Sequence, residues 1–147
     1  VKITLSVHLE AKTAYLCKVL AVGGAQMSIT GSNTLSTKDE IAAALADDGL
    51  HVYAYHAATP EEYARHIEMS LEHKPNIIID DGADLVSCIH ERRPELAAEV
   101  WGGCEETTSG IIRLRWLRSM MRTASICSTI VTVPDSRPGT ALCAIPI

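Results

Sequence analysis

The sequence contains no long hydrophobic run. Its longest apolar stretches, such as Ile41–Ala46 and Ile77–Ile79, fall far below the roughly 20 residues that a helix needs to cross a bilayer. No basic segment is followed by an apolar one, as it would be in a secretory signal peptide. A starting Met is also missing, which indicates a processed chain or a fragment. These absences predict a protein that has no membrane among its partners.

Cysteines are few and irregularly spaced. The chain has five, an odd number, and no two of them have CxxC spacing. A disulfide framework and a structural zinc site are therefore both disfavoured, and no metal site is predicted. The same pattern predicts a reducing compartment, the cytoplasm.

Basic residues are also fewer than acidic ones, 13 against 18. The formal net charge is −5 and the pI is about 5.6, whereas nucleic acids and anionic membranes bind basic surfaces. Neither is therefore expected as the main partner. No GxGxxG turn is present, so no dinucleotide-binding fingerprint lies within the sequence. A length of 147 residues allows one full core but not two typical domains.

Strand-like and helical patterns alternate along the chain. Strands are predicted at Lys2–Val7, Gln26–Thr30, His51–Tyr55, Asn76–Ile79 and, as a short fifth strand, Glu99–Trp101. Helices are predicted at Lys12–Val22, Thr37–Ala46, Thr59–His73, Ala83–Glu91 and Ser109–Met121. This alternation predicts an α/β fold with a doubly wound parallel sheet.

Two helix starts have the pattern of a capping box, in which a hydroxyl and a carboxylate satisfy free backbone N–H groups. The first is Thr37-x-x-Glu40. The second is Thr59-x-x-Glu62, which also has Pro60 at the first helical position.

The composition changes near Thr123. The segment Thr123–Ile147 holds a single acid, Asp135, and is rich in Ser, Thr, Cys and Pro. It contains strand-like runs at Ser128–Val133 and Ala141–Ile147. We therefore predict one domain over residues 1–122 and a separate tail over residues 123–147.

Polar side chains follow each predicted strand: His8 and Glu10, Ser32 and Asn33, His56, Asp80 and Asp81, and Glu105 and Glu106. Ligands of open parallel sheets bind beyond the carboxyl ends of the strands, so these groups are predicted to form one rim. A rim with several carboxylates and little positive charge suits a neutral polyhydroxyl ligand such as a nucleoside.

Structural roles are equally open for several of these residues. Asp80 and Asp81 could cap the helix that follows them. Glu105 and Glu106 could begin a helix whose dipole favours acidic residues. A lone histidine such as His8 is more often structural than catalytic.

Four segments together resemble a known family. They are residues 8–14 (HLEAKTA), 31–39 (GSNTLSTKD), 80–84 (DDGAD) and 103–110 (GCEETTSG). They are similar, in order and in spacing, to motifs of the S-adenosyl-L-homocysteine hydrolases, in the form typical of archaeal and many bacterial members. The resemblance covers about residues 1–117.

This resemblance implies a reaction. Members of the family reversibly split S-adenosylhomocysteine into adenosine and homocysteine, using a tightly bound NAD. The cofactor oxidises the ribose 3′-hydroxyl to a ketone, which acidifies the C4′ hydrogen so that homocysteine can leave from C5′. Water then adds and the ketone is reduced, while the protein supplies positioning and proton transfer. The full-length family forms homo-oligomers.

The resemblance also implies roles for particular residues. His8 and Asp81 correspond to an acid–base pair near C5′. Glu106 corresponds to the carboxylate that holds the ribose hydroxyls, and Glu10 and Asp81 correspond to substrate contacts. The run Thr107, Thr108 and Ser109 corresponds to hydroxyls that reach NAD, with Ser109 where Thr is commoner.

The sequence departs from the family after about Ser119. Gly139 stands where the family has an essential lysine, and a second acid on the substrate is missing. We expect no NAD-binding domain within these 147 residues, and the family's N-terminal lead-in is missing too. The chain is thus predicted to be an incomplete substrate-binding domain with a divergent tail, inactive by itself.

The fold predicted from pattern and resemblance together is a flavodoxin-like three-layer α/β sandwich. Two other functions remain open. One is a non-catalytic nucleoside-binding or assembly module. The other is a receiver-like phosphoacceptor domain, since Asp80 and Asp81 end a central strand, although a receiver has its acidic pair after the first strand, where this chain has His8 and Glu10.

Overall fold

The structure, a computed structural model, describes residues 1–120 and 130–131, with side chains as far as residue 117. In these residues the strands are β1 (Lys2–Ser6), β2 (Gln26–Thr30), β3 (His51–Val52), β4 (Ile77–Asp80), β5 (Gly102–Glu105) and β6 (Ile130–Val131). The helices are α1 (Ala11–Val22), α2 (Asp39–Asp47), α3 (Pro60–Leu71), α4 (Asp84–Arg92) and α5 (Thr108–Met120). A short 3₁₀ helix, Pro94–Ala98, follows α4. None of the described helices is both long and apolar enough to cross a bilayer.

The described strands form one sheet in the order β3-β2-β1-β4-β5-β6. Each neighbouring pair is parallel. The predicted doubly wound α/β fold is therefore confirmed. The chain moves outward from β1 to β3 and then crosses back to β4, which is the strand order of nucleotide-binding Rossmann folds. The direction of winding thus reverses between β1 and β4.

Helices cover both faces of the sheet, which gives the predicted three layers. On one face α1 and α2 pack against β1 and β2, through side chains such as Cys17, Leu45, Leu5 and Ile29. On the other face α3 and α4 pack against Ile78 of β4. Since successive side chains of a strand point to opposite faces, a central strand that is covered twice needs apolar residues at every position. The run Ile77–Ile79 meets that need.

A buried polar contact joins β1 to the end of α3. The Thr4 hydroxyl donates to the Ser70 carbonyl at 3.0 Å and lies 2.6 Å from His73 Nε2. Because the single hydroxyl proton is used on Ser70, the histidine donates to Thr4. The pKa of His73 is lowered to about 4, mainly by burial and also by the neighbouring Lys2. His73 is therefore a structural residue on the part of the sheet away from the carboxyl edge.

One of the two predicted capping boxes is confirmed. The Thr59 hydroxyl accepts from the Glu62 N–H at 3.3 Å, and the Glu62 carboxylate accepts from the Thr59 N–H at 2.9 Å. The box at Thr37 is wrong, since α2 begins at Asp39 with Lys38 as its N-cap and has no side-chain cap. The Thr37 hydroxyl donates instead to the Asn33 carbonyl at 3.0 Å, within the preceding turn.

Two predicted strands differ in position or length. The fifth strand is β5, Gly102–Glu105, rather than Glu99–Trp101. Its two glycines have low strand propensity, so the sequence pattern did not predict a strand there. A Cβ at Gly103 would lie 3.3 Å from the Ile78 carbonyl oxygen, so a residue without a side chain fits at this position. The third strand is shorter than predicted, because only His51 and Val52 pair with β2.

The structure describes two residues of the predicted tail, Ile130 and Val131. The strand β6 lies within the run Ser128–Val133 that was predicted to be a strand. The run Ala141–Ile147 and Gly139 lie outside the described residues.

Candidate active site

His8 and Asp81 lie at the point where the winding of the sheet reverses. His8 follows β1 and Asp81 follows β4, and these two strands are neighbours. The carboxyl ends of two strands that diverge in this way leave a crevice between their loops, and doubly wound folds bind their ligands there. The predicted placement of His8, Asp81 and Glu106 along one rim is confirmed, since Glu106 follows β5, next to β4. Their chemical roles remain predictions.

The backbone around His8 is fixed by short-range contacts. The His8 carbonyl accepts from the Glu10 N–H at 3.0 Å and from the Thr13 hydroxyl at 2.6 Å. Leu9, which lies between His8 and Glu10 in the sequence, is fully buried in the core. Because neighbouring side chains diverge there, the anchoring of Leu9 leaves His8 and Glu10 facing outward, and the His8 side chain is 44% exposed.

The imidazole of His8 has a partner at each nitrogen. Its Nε2 lies 3.5 Å from Asp81 Oδ2, and its Nδ1 lies 2.6 Å from Ser36 Oγ. The carboxylate favours a proton on Nε2, so in the neutral ring Nδ1 accepts from the Ser36 hydroxyl. In the imidazolium form both nitrogens donate, and the Ser36 hydroxyl can turn to the Asn33 carbonyl 3.1 Å away. The site thus accommodates both protonation states, as a general acid–base catalyst requires.

A hydrogen bond from the loop that follows β2 holds the Asp81 side chain in place. Its Oδ2 accepts from the Ser32 hydroxyl at 2.7 Å, and Ser32 lies just after β2. Only 9% of the Asp81 side chain is exposed. The same oxygen faces His8, so Ser32 and His8 together orient the carboxylate at the edge of the crevice.

The neighbouring Asp80 has the structural role that the sequence left open. One of its oxygens accepts from the Val86 N–H at 3.1 Å, in the first turn of α4, and the other from the Asp81 N–H at 3.2 Å. Asp80 is almost fully buried. A phosphoacceptor needs an accessible carboxylate, so this geometry weighs against a receiver-like function.

Burial also changes the ionisation of Asp80. Its pKa is raised to about 8, mainly by desolvation and also by the nearby carboxylates of Glu105 and Asp84, against the two N–H groups that lower it. An acid whose pKa is raised on folding contributes stability that is fully present below its unfolded pKa, near 4. That stability is lost as the pH rises through about 8.

We expect this titration to be visible in the stability of the chain. As the pH rises from about 4 to about 8, the ionisation of Asp80 should lower the free energy of unfolding by up to about 1.4 kcal/mol for each pH unit. Asparagine cannot ionise, so the free energy of unfolding of Asp80→Asn should rise relative to that of the wild type as the pH rises. Urea denaturation from pH 5 to pH 8 measures the difference, with the exposed Asp47→Asn as control. A difference between wild type and Asp80→Asn that stays constant with pH would contradict the assignment.

Glu105 and Glu106 are adjacent but have opposite surroundings. The Glu105 side chain is about 1% exposed, and its carboxylate accepts hydrogen bonds from both the α4 and the α5 entry loops. The Glu106 side chain is exposed at the rim, while its N–H donates to the Asp80 carbonyl at 3.0 Å. Glu105 therefore has a structural position, whereas the Glu106 side chain is exposed to solvent.

The hydroxyl run that follows is divided in the same way. Thr107 Oγ1 donates to Glu105 at 2.6 Å and accepts from the Gly82 and Gly110 N–H groups, each at 3.1 Å. Thr108 and Ser109 are exposed at the start of α5. Of the three predicted cofactor contacts, these two have hydroxyls at the surface.

Glu10, the remaining predicted substrate contact, lies on the same edge of the sheet. It is the N-cap residue of α1, but its side chain makes no capping bond there. The side chain is exposed. Ser36 was not singled out from the sequence, although it lies within the 31–39 motif. Only the folded loop shows that its hydroxyl meets His8.

The sequence of the chain matches a known protein family. The model of the S-adenosyl-L-homocysteine hydrolase family matches residues 1–95 of the chain. The chain belongs to this family. Similar curated proteins include the S-inosyl-L-homocysteine hydrolase of Methanocaldococcus jannaschii, 53% identical over 78% of this chain and 28% of that protein. The Methanopyrus kandleri protein of the same name is 46% identical over 93% of this chain and 32% of its own length. The adenosylhomocysteinase of Pyrococcus abyssi is 48% identical over 92% of this chain and 32% of its own length.

The matches also bear on the extent of the resemblance. The chain spans about a third of the length of the relatives from Methanopyrus and Pyrococcus. Alignments that cover 92–93% of the chain extend past Ser119, where the motif resemblance ended. The boundary between residues 1–122 and the tail remains a prediction.

Proposed function

We propose that this chain provides the nucleoside-binding and acid–base part of an enzyme that hydrolyses S-adenosyl-L-homocysteine to adenosine and homocysteine. The observation that supports it best is the His8–Asp81 pair, 3.5 Å apart at the switch point of the sheet. The half-exposed imidazole can exchange a proton with a ligand in the crevice. The mostly buried Asp81 keeps that imidazole oriented, with Ser32 fixing the carboxylate in turn.

The carboxylates of the rim suit the sugar. A ribose presents two adjacent hydroxyl donors, and exposed carboxylates such as Glu106 and Glu10 accept hydrogen bonds from hydroxyls. His8 then acts near C5′, where it gives a proton to the departing thiolate and takes one from the incoming water. Each of these proton transfers contributes about 10²–10⁴-fold to a rate when its group is correctly placed.

NAD is the cofactor implied by the family. Thr108 and Ser109 fit a contact with its edge, because their side chains are exposed on the same rim as Asp81. The cofactor would supply hydride transfer at the ribose. No GxGxxG turn is present in the sequence, so these residues do not by themselves provide a pyrophosphate site.

A second substrate is S-inosyl-L-homocysteine. The Methanocaldococcus and Methanopyrus relatives are named for it, whereas the Pyrococcus relative is named an adenosylhomocysteinase. The two nucleosides differ in the group at position 6 of the purine. The ribose and the thioether are the same in both, so the roles of His8, Asp81 and Glu106 are the same for either substrate.

We place the protein in the cytoplasm and expect the whole enzyme to be a homo-oligomer, as the family resemblance implies. Within the part of the chain that the structure describes, Cys17, Cys88 and Cys104 are free thiols. Unpaired thiols are typical of a reducing compartment. The proposed partners are the nucleoside substrates rather than nucleic acid or a membrane.

Nucleoside binding tests the proposal. The chain is expected to bind adenosine or inosine with a dissociation constant in the millimolar range, because a single domain encloses only part of the ligand. Glu106→Ala and Asp81→Asn are each expected to weaken binding about tenfold, a loss of about 1.4 kcal/mol. Isothermal titration calorimetry measures both.

Glu72→Ala is the matched control, since Glu72 is an exposed acid at the far end of α3. It should bind like the wild type. If no saturable heat is seen with either nucleoside, or if Glu106→Ala binds as well as Glu72→Ala, the assignment of this rim to the nucleoside is wrong.

A further inference from the structure

Glu105 lies beneath the site, and its buried carboxylate takes part in four hydrogen bonds. Oε1 accepts from the Gly82 N–H at 2.9 Å, from the Thr107 N–H at 2.9 Å and from the Thr107 hydroxyl at 2.6 Å. Oε2 accepts from the Ala83 N–H at 2.9 Å. Bonds from backbone N–H groups to a carboxylate are among the stronger hydrogen bonds in proteins. The carboxylate therefore holds its neighbours in one arrangement.

These donors belong to two different loops. Gly82 and Ala83 join β4 to α4 and directly follow Asp81, whereas Thr107 joins β5 to α5 and directly follows Glu106. Glu105 thus links the loop of the acid–base residue to the loop of the predicted ribose carboxylate. It also lies at the N-terminal ends of α4 and α5, where both helix dipoles favour a negative charge.

The loop that Glu105 holds has a strained conformation. Ala83 is fully buried and has a φ of 63°, in the left-handed region, and Gly82 before it has a φ of 94°. A residue with a Cβ occupies that region only when surrounding contacts enforce it. For Ala83, the bond from its N–H to Glu105 is such a contact.

We propose that Glu105 is a positioning residue for the acid–base pair, a role that rests on the function proposed above. By fixing Gly82 and Ala83 it sets where the chain turns after Asp81, and so where the Asp81 carboxylate points. The contacts of that carboxylate, 2.7 Å to Ser32 and 3.5 Å to His8, would be lost if the loop moved by about 1 Å, since hydrogen bonds weaken steeply with distance. The bonds of the Glu105 carboxylate go to Gly82, Ala83 and Thr107, so it acts on His8 through Asp81.

Glu105→Gln is the variant that tests this role. Glutamine has one accepting oxygen and one NH₂ group, so at least one of the N–H groups from Gly82, Ala83 and Thr107 faces another donor. In a ¹³C-labelled chain the carboxyl-carbon resonance of Asp81 is expected to move toward that of the exposed Asp47. The ring resonances of His8 should shift as well.

Thr4→Val controls for a general loss of stability. It removes a buried hydroxyl that is bonded to Ser70 and lies next to His73. It is expected to leave the Asp81 and His8 resonances in place. Folded Glu105→Gln with unshifted Asp81 and His8 resonances would overturn the positioning role.

A milder variant covers the case in which Glu105→Gln does not fold. Thr107→Val removes the hydroxyl bond to Glu105 and the bonds that the hydroxyl accepts from Gly82 and Gly110. It leaves the three backbone N–H donors to Glu105, so the same resonances should move less but in the same direction. No movement in folded Thr107→Val would overturn the proposal equally.

Nucleoside affinity separates this role from the proposed function. If the wild type binds adenosine, Glu105→Gln should weaken that binding about tenfold or more, and unchanged affinity would overturn the positioning role. If the wild type binds neither nucleoside, the proposed function fails, while the resonances still decide whether Glu105 positions Asp81.

Discussion

The purified 147-residue chain is expected to release no homocysteine from S-adenosyl-L-homocysteine, with or without added NAD. The proposed acid–base pair, His8 and Asp81, cannot by itself make the C4′ hydrogen acidic. That step requires a hydride acceptor, and the sequence has no GxGxxG turn to hold a dinucleotide. From the family resemblance we also expect Gly139 at the place of the family's lysine, and the loss of one acid–base group alone typically lowers a rate about 10²–10⁴-fold.

A thiol-release assay measures this directly. Turnover above that of a heat-treated sample could come from a contaminating enzyme. Asp81→Asn is therefore assayed in parallel, to show whether the turnover depends on this site. Activity that is present in the wild type and absent in Asp81→Asn would contradict the prediction. It would show that these residues hold the cofactor, or an equivalent, after all.

Gly110→Ala is expected to destabilise the chain by about 3 kcal/mol or more, which is at the upper end for overpacking in a core. A Cβ at Gly110 would lie 2.2 Å from both the carboxyl carbon and Oε1 of Glu105. Glu105 would have to leave its four N–H and O–H donors, in a place where water cannot replace it. Helix propensity alone predicts the opposite sign, because alanine in a helix is favoured over glycine by about 1 kcal/mol.

Ser109→Ala is the matched control. It lies next to Gly110 in the first turn of α5 and is exposed. Its hydroxyl makes a long hydrogen bond of 3.4 Å to Thr107 Oγ1, so the variant reports the effect of alanine and of this weak bond without the clash. Denaturation in urea gives both free energies of unfolding. If Gly110→Ala is as stable as the wild type or more stable, Glu105 does not occupy the position described.

The sequence predicted the layers of this fold well, because the apolar pattern that defines a buried strand is local. Gln26–Thr30 matches β2 without change, and the predicted strand Asn76–Ile79 differs from β4, Ile77–Asp80, by one residue at each end. The strand β5 was misplaced because the need for glycine at Gly103 comes from a neighbouring strand, where the Ile78 carbonyl oxygen would lie 3.3 Å from a Cβ. That proximity cannot be read from a window along the chain. For the same reason Thr37 was taken for a helix cap, when its hydroxyl is used inside the turn before the helix.

The candidate site was predicted as a set of residues but not as a network. The polar groups after each strand gave its rim, since parallel strands end at one edge. What the sequence could not distinguish was Asp80 from Asp81, or Glu105 from Glu106. In each pair one carboxylate is buried against backbone N–H groups, and the other is at the rim. That division depends on where the loops fold back, which is a tertiary property.

The most direct test of the central claim is to map where a nucleoside contacts the ¹⁵N-labelled chain. Titration with adenosine, and separately with inosine, should shift the amide resonances of Leu9, Asp81 and Glu106, which follow three neighbouring strands at the carboxyl edge. The amides of Thr4 and His73 should stay in place. Saturable shifts confined to the first group would support a nucleoside site at the switch point. Shifts centred on another face of the sheet, or none up to the solubility limit of both nucleosides, would contradict it.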